Sequence, residues 1–264
     1  MRQYEVSVKG GFVAVDLHGH VYGQETPLVI VPGVMTDAAG WGTVANLLAV
    51  DRQVHVLNRR GRYPSSDLPA EYSLLTEVAD LCAVLAALGR PAQVFGWSLG
   101  GLVALQAVAS GADVVSLMLY EPVIAPFGQE QIRPLREARG RDDFDAMVEI
   151  VNCDISGYTQ VHVDKLRSDG KSWARLRELA IPLADEIEAL NGFAPDLESY
   201  GRIKTPTIVL YGTESGSVYQ TPCTRIVQAL RHPVTTSLQG EDHLVHITAP
   251  NVLTQAIQQH ISPT

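Results

Sequence analysis

Positive charge is scarce in this chain. Lysine and arginine number 20 against 29 aspartates and glutamates, a formal net charge of −9 over 264 residues. Binding a phosphate backbone needs a basic surface, so nucleic acid is not an expected partner, and the surplus acid is read as solubility. Cysteine is scarcer still: Cys82, Cys153 and Cys223 are widely spaced, odd in number and form no CxxC pair. That argues against a disulfide framework and against a thiolate zinc site. The histidines and carboxylates show no HExxH or comparable ligand spacing, so neither a metal nor an organic cofactor is expected. No apolar run approaches the roughly 20 residues that a membrane helix needs. The first residues alternate like strands and lack the charged start, apolar block and cleavage site of a signal peptide. The expectation is a cytoplasmic protein, monomer or homodimer, with no membrane partner.

What is present is a large core and a regular alternation. Apolar residues make up 46% and charged residues 19%, the balance of a globular chain. Residues 3–9 and 11–17 alternate as two strands meeting at Gly10-Gly11, a hairpin signal. Short apolar runs follow at 28–31, 54–57, 92–95, 114–120 and 207–211, each suited to a strand buried on both faces. Helical patterns lie between them at 42–49, 74–88 and 99–109, and a last one at 248–261 closes the chain. This alternation predicts a mostly parallel sheet with helices on both faces.

The alternation breaks between 122 and 203, which holds helix-like segments at 129–138, 141–152, 159–168, 171–179 and 182–191 and no convincing strand. Such an insert between two strands is expected to sit over the strands' C-terminal ends, where open α/β sheets bind ligands.

Gly96-Trp97-Ser98-Leu99-Gly100 matches G-x-S-x-G between a strand pattern and a helix pattern. In that turn the serine is held in a strained conformation, and small residues two positions away let strand and helix pass. The turn aims the hydroxyl out over the sheet edge, at a helix N-terminus that favours negative charge. A nucleophilic serine needs a base from the same edge. Of eight histidines, His18, His20, His55, His162, His232 and His260 fall in strand, insert or terminal-element patterns. His243 lies in the loop before the last helix, and His246 shares that loop.

These residues resemble the α/β-hydrolase family, and the resemblance spans essentially the whole chain. Gly96 to Gly101 is similar to the family's nucleophile elbow. Residues 240–250 resemble its terminal motif, in which a histidine follows a glycine by three and precedes a proline by seven; His243 fits and His246 does not. Residues 31–41 resemble the loop that donates an oxyanion N–H, with Pro32 where the family usually has histidine. Residues 58–66 resemble its Arg-Gly turn, with Asn58 where aspartate is common. The resemblance implies an eight-stranded α/β-hydrolase fold. Residues 1–121 and 204–264 form the core, and 122–203 an inserted helical cap. It implies oxyanion donors at Val34 N–H and Leu99 N–H.

The resemblance also exposes a gap. The family's triad acid usually stands three residues after the glycine ending the seventh strand, here Ser215. Two carboxylates can substitute. Glu121 ends the sixth strand, where haloalkane dehalogenases and zearalenone-type lactonases place the acid. Glu214 adjoins the vacant position.

The expected activity is a serine hydrolase acting on a small hydrophobic ester or lactone, with Ser98 as nucleophile, His243 as general base and Glu121, or alternatively Glu214, as acid. Gly33, Met35, Trp97, Val123, Phe127 and Trp173 are the candidate substrate-binding residues. A carbon–carbon bond hydrolase or a thioesterase is the alternative enzyme. A hydrolase-like small-ligand receptor or pseudoenzyme is the alternative of another class, motivated by Ser215.

Overall fold

The computed structural model describes residues 2–19 and 25–261; His20 lies outside them. Eight strands form one sheet: β1 (Arg2–Val8), β2 (Gly11–His18), β3 (Leu28–Val31), β4 (Val54–Asn58), β5 (Gln93–Trp97), β6 (Ser116–Tyr120), β7 (Thr207–Gly212) and β8 (Val234–Leu238). Their order is β1-β2-β4-β3-β5-β6-β7-β8. The first two pairings are antiparallel and the rest parallel. β3 to β6 are buried along their whole length, which is why they read as unbroken apolar runs rather than alternating ones.

Alternate residues feed two cores. Val29, Val31, Val94, Leu117, Leu119 and Val209 face one side, against α2 (Leu74–Leu88) and α3 (Leu99–Ala109). Leu28, Ile30, Phe95, Met118, Tyr120 and Leu210 face the other, against α1 (Gly42–Leu48) and the last helix. Trp41, fully buried, anchors that second core.

Between β6 and β7 the described chain is helical: α4 (Ile132–Arg139), α5 (Phe144–Glu149), α6 (Gln160–Ser168), α7 (Gly170–Ala180), α8 (Leu183–Asn191) and α9 (Leu197–Tyr200). A π-helical stretch, Ile150–Ile155, continues α5, where the sequence pattern predicts one α-helix to 152. α8 packs on α4, α7 and α2, joining this segment to the sheet layers. After β7 comes α10 (Ser217–Ala229), which the sequence pattern does not mark as a helix. Pro222 sits inside it and cannot donate to the preceding turn, so the local signal reads as a breaker. The closing helix expected at 248–261 is α12 (Pro250–His260), which Pro250 starts, and a short helix that the pattern does not mark, α11 (Val245–Thr248), precedes it across Ala249.

Parallel register decides what meets at the sheet's C-terminal edge. Trp97 pairs with Tyr120 and Tyr120 with Leu210, while Gly212 pairs with Leu238. The residues just beyond β5, β6 and β8 therefore emerge side by side. Among the described residues no helix is long and apolar enough to cross a membrane.

Candidate active site

Ser98 stands between β5 and α3 with φ 56° and ψ −122°, outside the regions open to most side chains. The ladder holds it there: its N–H donates to Tyr120 O at 3.0 Å. The turn closes only because its neighbours lack side chains. A Cβ on Gly96 would lie 2.6 Å from Gly100 O, and one on Gly100 only 2.1 Å from Val31 O. Met35 and Glu121 also have positive φ, 58° and 43°. Three strained non-glycine residues thus sit at the ends of three adjacent strands, where strain marks candidate functional positions. Leu99 N–H opens α3, and Val34 N–H precedes Met35; among the described residues neither donates to a protein acceptor.

Glu121 follows β6 directly, and its side chain is wholly buried. Its N–H donates to Leu210 O at 3.0 Å. Its Oε1 accepts from Gly212 N–H at 2.8 Å, and its Oε2 lies 2.6 Å from His243 Nδ1. A carboxylate accepts only, so in the neutral imidazole Nδ1 carries the proton and Nε2 keeps its lone pair. Asp242 O accepts from the Tyr120 hydroxyl at 2.7 Å and His243 O from Trp97 Nε1 at 2.9 Å, fixing the loop that carries the ring. The ring is sandwiched: Tyr219 stacks at 3.6 Å between centroids and 12° between planes, and Trp97 at 4.6 Å and 28°.

Ser98 and His243 open into one cavity of about 560 Å³ between the sheet edge and the helices that follow β6. Val34, Met35, Trp97, Phe127, Ile155 and Leu176 make much of it apolar. Thr36, Asn152, Tyr158, His162 and Lys165 add polar groups. Burial pushes the Tyr219 and Tyr158 hydroxyls up and His162 down. His246 is 2% exposed, with both ring nitrogens buried and unpartnered, stacked on Trp41 at 4.5 Å. Burial, helped by His243 beside it, lowers it to about 3, which favours the neutral ring. Among the described residues no three His, Cys, Asp or Glu side chains group to hold a metal.

A family model described as the alpha/beta hydrolase family matches residues 28–256. The chain belongs to the α/β-hydrolase family. It is similar over 259 residues, at 24% identity, to an (E)-2-((N-methylformamido)methylene)succinate hydrolase of Acinetobacter baylyi, covering 94% of each chain. To an N-formylmaleamate deformylase of Pseudomonas putida it is 36% identical over 110 residues, 40% of this chain and 41% of that protein. In fold it resembles an α/β hydrolase from Sphaerobacter thermophilus, with a TM-score of 0.80 and 23% identity over 99% of this chain and 100% of that one. An enol-lactonase from Burkholderia xenovorans superposes with a TM-score of 0.80 at 19% identity, over 97% and 98% of the two chains.

Within this α/β-hydrolase framework the other sequence-picked residues divide. Met35, Trp97 and Phe127 line the cavity. Val123, Gly33 and Trp173 do not. Val123 is fully buried behind the elbow, its N–H 3.4 Å from Ser98 O. Gly33 lies beneath, packed on Trp97 with its carbonyl held by Arg59. Trp173 turns into the helical layer, donating to Asp145 with Arg167 over its ring at 4.5 Å. An apolar residue carries no local signal that separates core from pocket. Glu214 is exposed and its carboxylate accepts from Thr213 Oγ1 at 3.5 Å, while Ser215 is buried with an unpartnered hydroxyl. Sequence reasoning missed Tyr219, because only the fold brings residue 219 onto residue 243. It also missed the polar residues of α6, whose charge reads as solvated surface.

Proposed function

We propose that this chain is a serine hydrolase that attacks the acyl carbon of a carboxylic ester or lactone. The observation that carries the reading is the 2.6 Å contact from Glu121 Oε2 to His243 Nδ1, with His243 and Ser98 facing one cavity. Ser98 is the nucleophile, His243 the general base and Glu121 the acid. His243 Nε2 takes the Ser98 proton as Oγ bonds to the acyl carbon. Glu121 holds the ring's tautomer and stabilises the imidazolium. The oxyanion is met by the N–H groups of Val34 and Leu99, the second at a helix N-terminus. The carbon–oxygen bond to the leaving group then breaks, and the alkoxide takes the proton from His243. Water, deprotonated by the same imidazole, attacks the acyl-enzyme; its collapse returns the proton to Ser98 and releases the acid.

The helical segment 122–203 acts in this reading as a cap, and it supplies the cavity wall opposite Ser98. The apolar lining suits a hydrophobic acyl or alcohol portion. A second reading, hydrolysis of an N-acyl group by the same attack, draws on the deformylase and succinate hydrolase named above. Both names describe carboxylated substrates, and Asn152, His162 and Lys165 would suit such polarity. The receptor reading loses its motive where Glu121 fills the role left open at Ser215.

The test is active-site labelling. A fluorophosphonate should label the wild type and not Ser98→Ala, and a panel of esters, lactones and N-acyl amides should then rank the substrates. A wild type that resists the probe and hydrolyses none of them would end this reading.

A further inference from the structure

The peptide unit joining Gly33 to Val34 has two polar groups. Its N–H is the Val34 donor assigned above to the oxyanion. Its carbonyl accepts from Arg59 Nη2 at 2.8 Å. The unit is not among the cis peptides of the described chain, so it is trans and holds the two groups antiparallel. Whatever fixes the carbonyl fixes the direction of the N–H.

Arg59 is well built to fix it. It follows β4, is 1% exposed, and has almost no freedom. Nη1 donates to Glu77 Oε1 on α2 at 2.8 Å. Nη2, besides the Gly33 carbonyl, donates to Glu186 Oε1 on α8 at 2.5 Å. Glu186 is wholly buried and is gripped from its other side by the fork of Arg62, at 2.7 and 2.8 Å. Glu77 also accepts from the Tyr72 hydroxyl at 2.7 Å. Two cations and two anions balance.

Stability alone does not explain this arrangement. Buried ion clusters often contribute no more than the apolar residues that could replace them. What apolar residues could not do is grip a backbone carbonyl. A buried cation on that carbonyl also draws electron density across the amide, and hydrogen bonds in such a chain strengthen one another. The Val34 N–H becomes a better directed and stronger donor.

We propose that Arg59 is a positioning residue for the oxyanion site: through the Gly33 carbonyl it aims and polarises the Val34 N–H. The inference rests on the serine-hydrolase reading above. It also links that N–H to α8, since Glu186 fixes the arginine.

The experiment compares Arg59→Met, Arg59→Lys and Arg60→Met with wild type. Two readouts apply: steady-state hydrolysis of an activated ester, and binding of benzeneboronic acid, which forms a tetrahedral adduct on the nucleophilic serine. Arg59→Met should lower kcat about 10- to 100-fold, below the full loss of a donor, with KM within about threefold. Boronate affinity should fall in parallel. Arg59→Lys should recover part of both. Arg60→Met removes an equally buried arginine that pairs with Asp80 at 2.6 Å and touches neither Glu186 nor Gly33, and it should leave both within about threefold. If Arg59→Met fails to fold, the charge-balanced pair Arg59→Met with Glu77→Gln takes its place. Unchanged kcat and boronate affinity in the folded variant would overturn the proposal. So would an equal loss in Arg60→Met, which would reduce Arg59 to a structural part. A wild type that neither binds boronate nor labels at Ser98 would remove the hydrolase reading and this one with it; a wild type that does both confines any failure to Arg59.

Discussion

Tyr219 lies flat on His243, ring centroids 3.6 Å apart and planes 12° from parallel. The tyrosine hydroxyl meets Ser156 Oγ at 2.8 Å, just past the π-helical stretch that follows α5. One side chain thus holds the imidazole's face with its ring and the helical segment with its oxygen.

The two contacts can be separated. Aromatic stacking is worth about 0.5–1.5 kcal/mol, so Tyr219→Leu should lower kcat/KM roughly 2- to 13-fold. Tyr219→Phe keeps the ring and should stay within about twofold of wild type. Steady-state ester hydrolysis decides. Equal losses in both variants would place the effect in the Ser156 hydrogen bond instead.

Glu121 makes two bonds with no solvent access, and Glu214 makes no contact with His243. Glu121→Gln should reduce kcat on the order of 10³–10⁴-fold, the scale known for a lost triad acid. Glu214→Gln should leave it near wild type. The reverse ranking would move the acid to β7.

His246 should show itself in stability rather than rate. Its native value of about 3 lies below the ordinary 6.5. Between those values the unfolded chain binds a proton that the native chain does not, so stability falls as pH drops from 6.5 toward 3. His246→Phe should remove about 1.4 kcal/mol per pH unit from that slope across the window. His55, lowered to about 4 chiefly by burial, supplies a similar slope that the variant leaves in place. Denaturant unfolding at pH 7.5, 5.5 and 4.5 measures the difference; parallel curves would contradict it.

Gly100 tolerates no side chain, because the nearest atom to a new Cβ is backbone, Val31 O at 2.1 Å. Gly100→Ala should cost about 3 kcal/mol or more, the upper range for overpacking. Tm should fall by roughly 6–12 °C. A thermal scan showing no change would mean that the elbow opens more easily than its contacts imply.

Much of the fold could be read locally. Strands buried on both faces leave apolar runs, and the elbow leaves two glycines around a serine, because each of these constraints acts within a few residues. The loops beyond β5, β6 and β8 could be brought to one edge from parallel topology alone. Other features could not be read because their causes are distant in the chain. Val123 and Trp173 are as apolar as Met35 and Phe127, and only packing assigns the first two to the interior. Arg59 and Arg62 look like surface charge until Glu186, more than 120 residues away, comes down between them. α10 was obscured by Pro222, a local objection that tertiary packing overrides.

Glu121 is followed at once by Pro122, the first residue of the stretch leading into the helices. Where the acid follows β7, the helical insertion can be exchanged without touching it. In the proposed mechanism the carboxylate that holds the imidazole shares a junction with the helical segment, and Glu186 reaches back from that segment, through Arg59, to the loop that carries Val34. Transplanting the helices of a relative onto this sheet would therefore carry a catalytic cost at both attachment points. New specificity in this lineage is better sought by repainting the cavity wall than by swapping the roof.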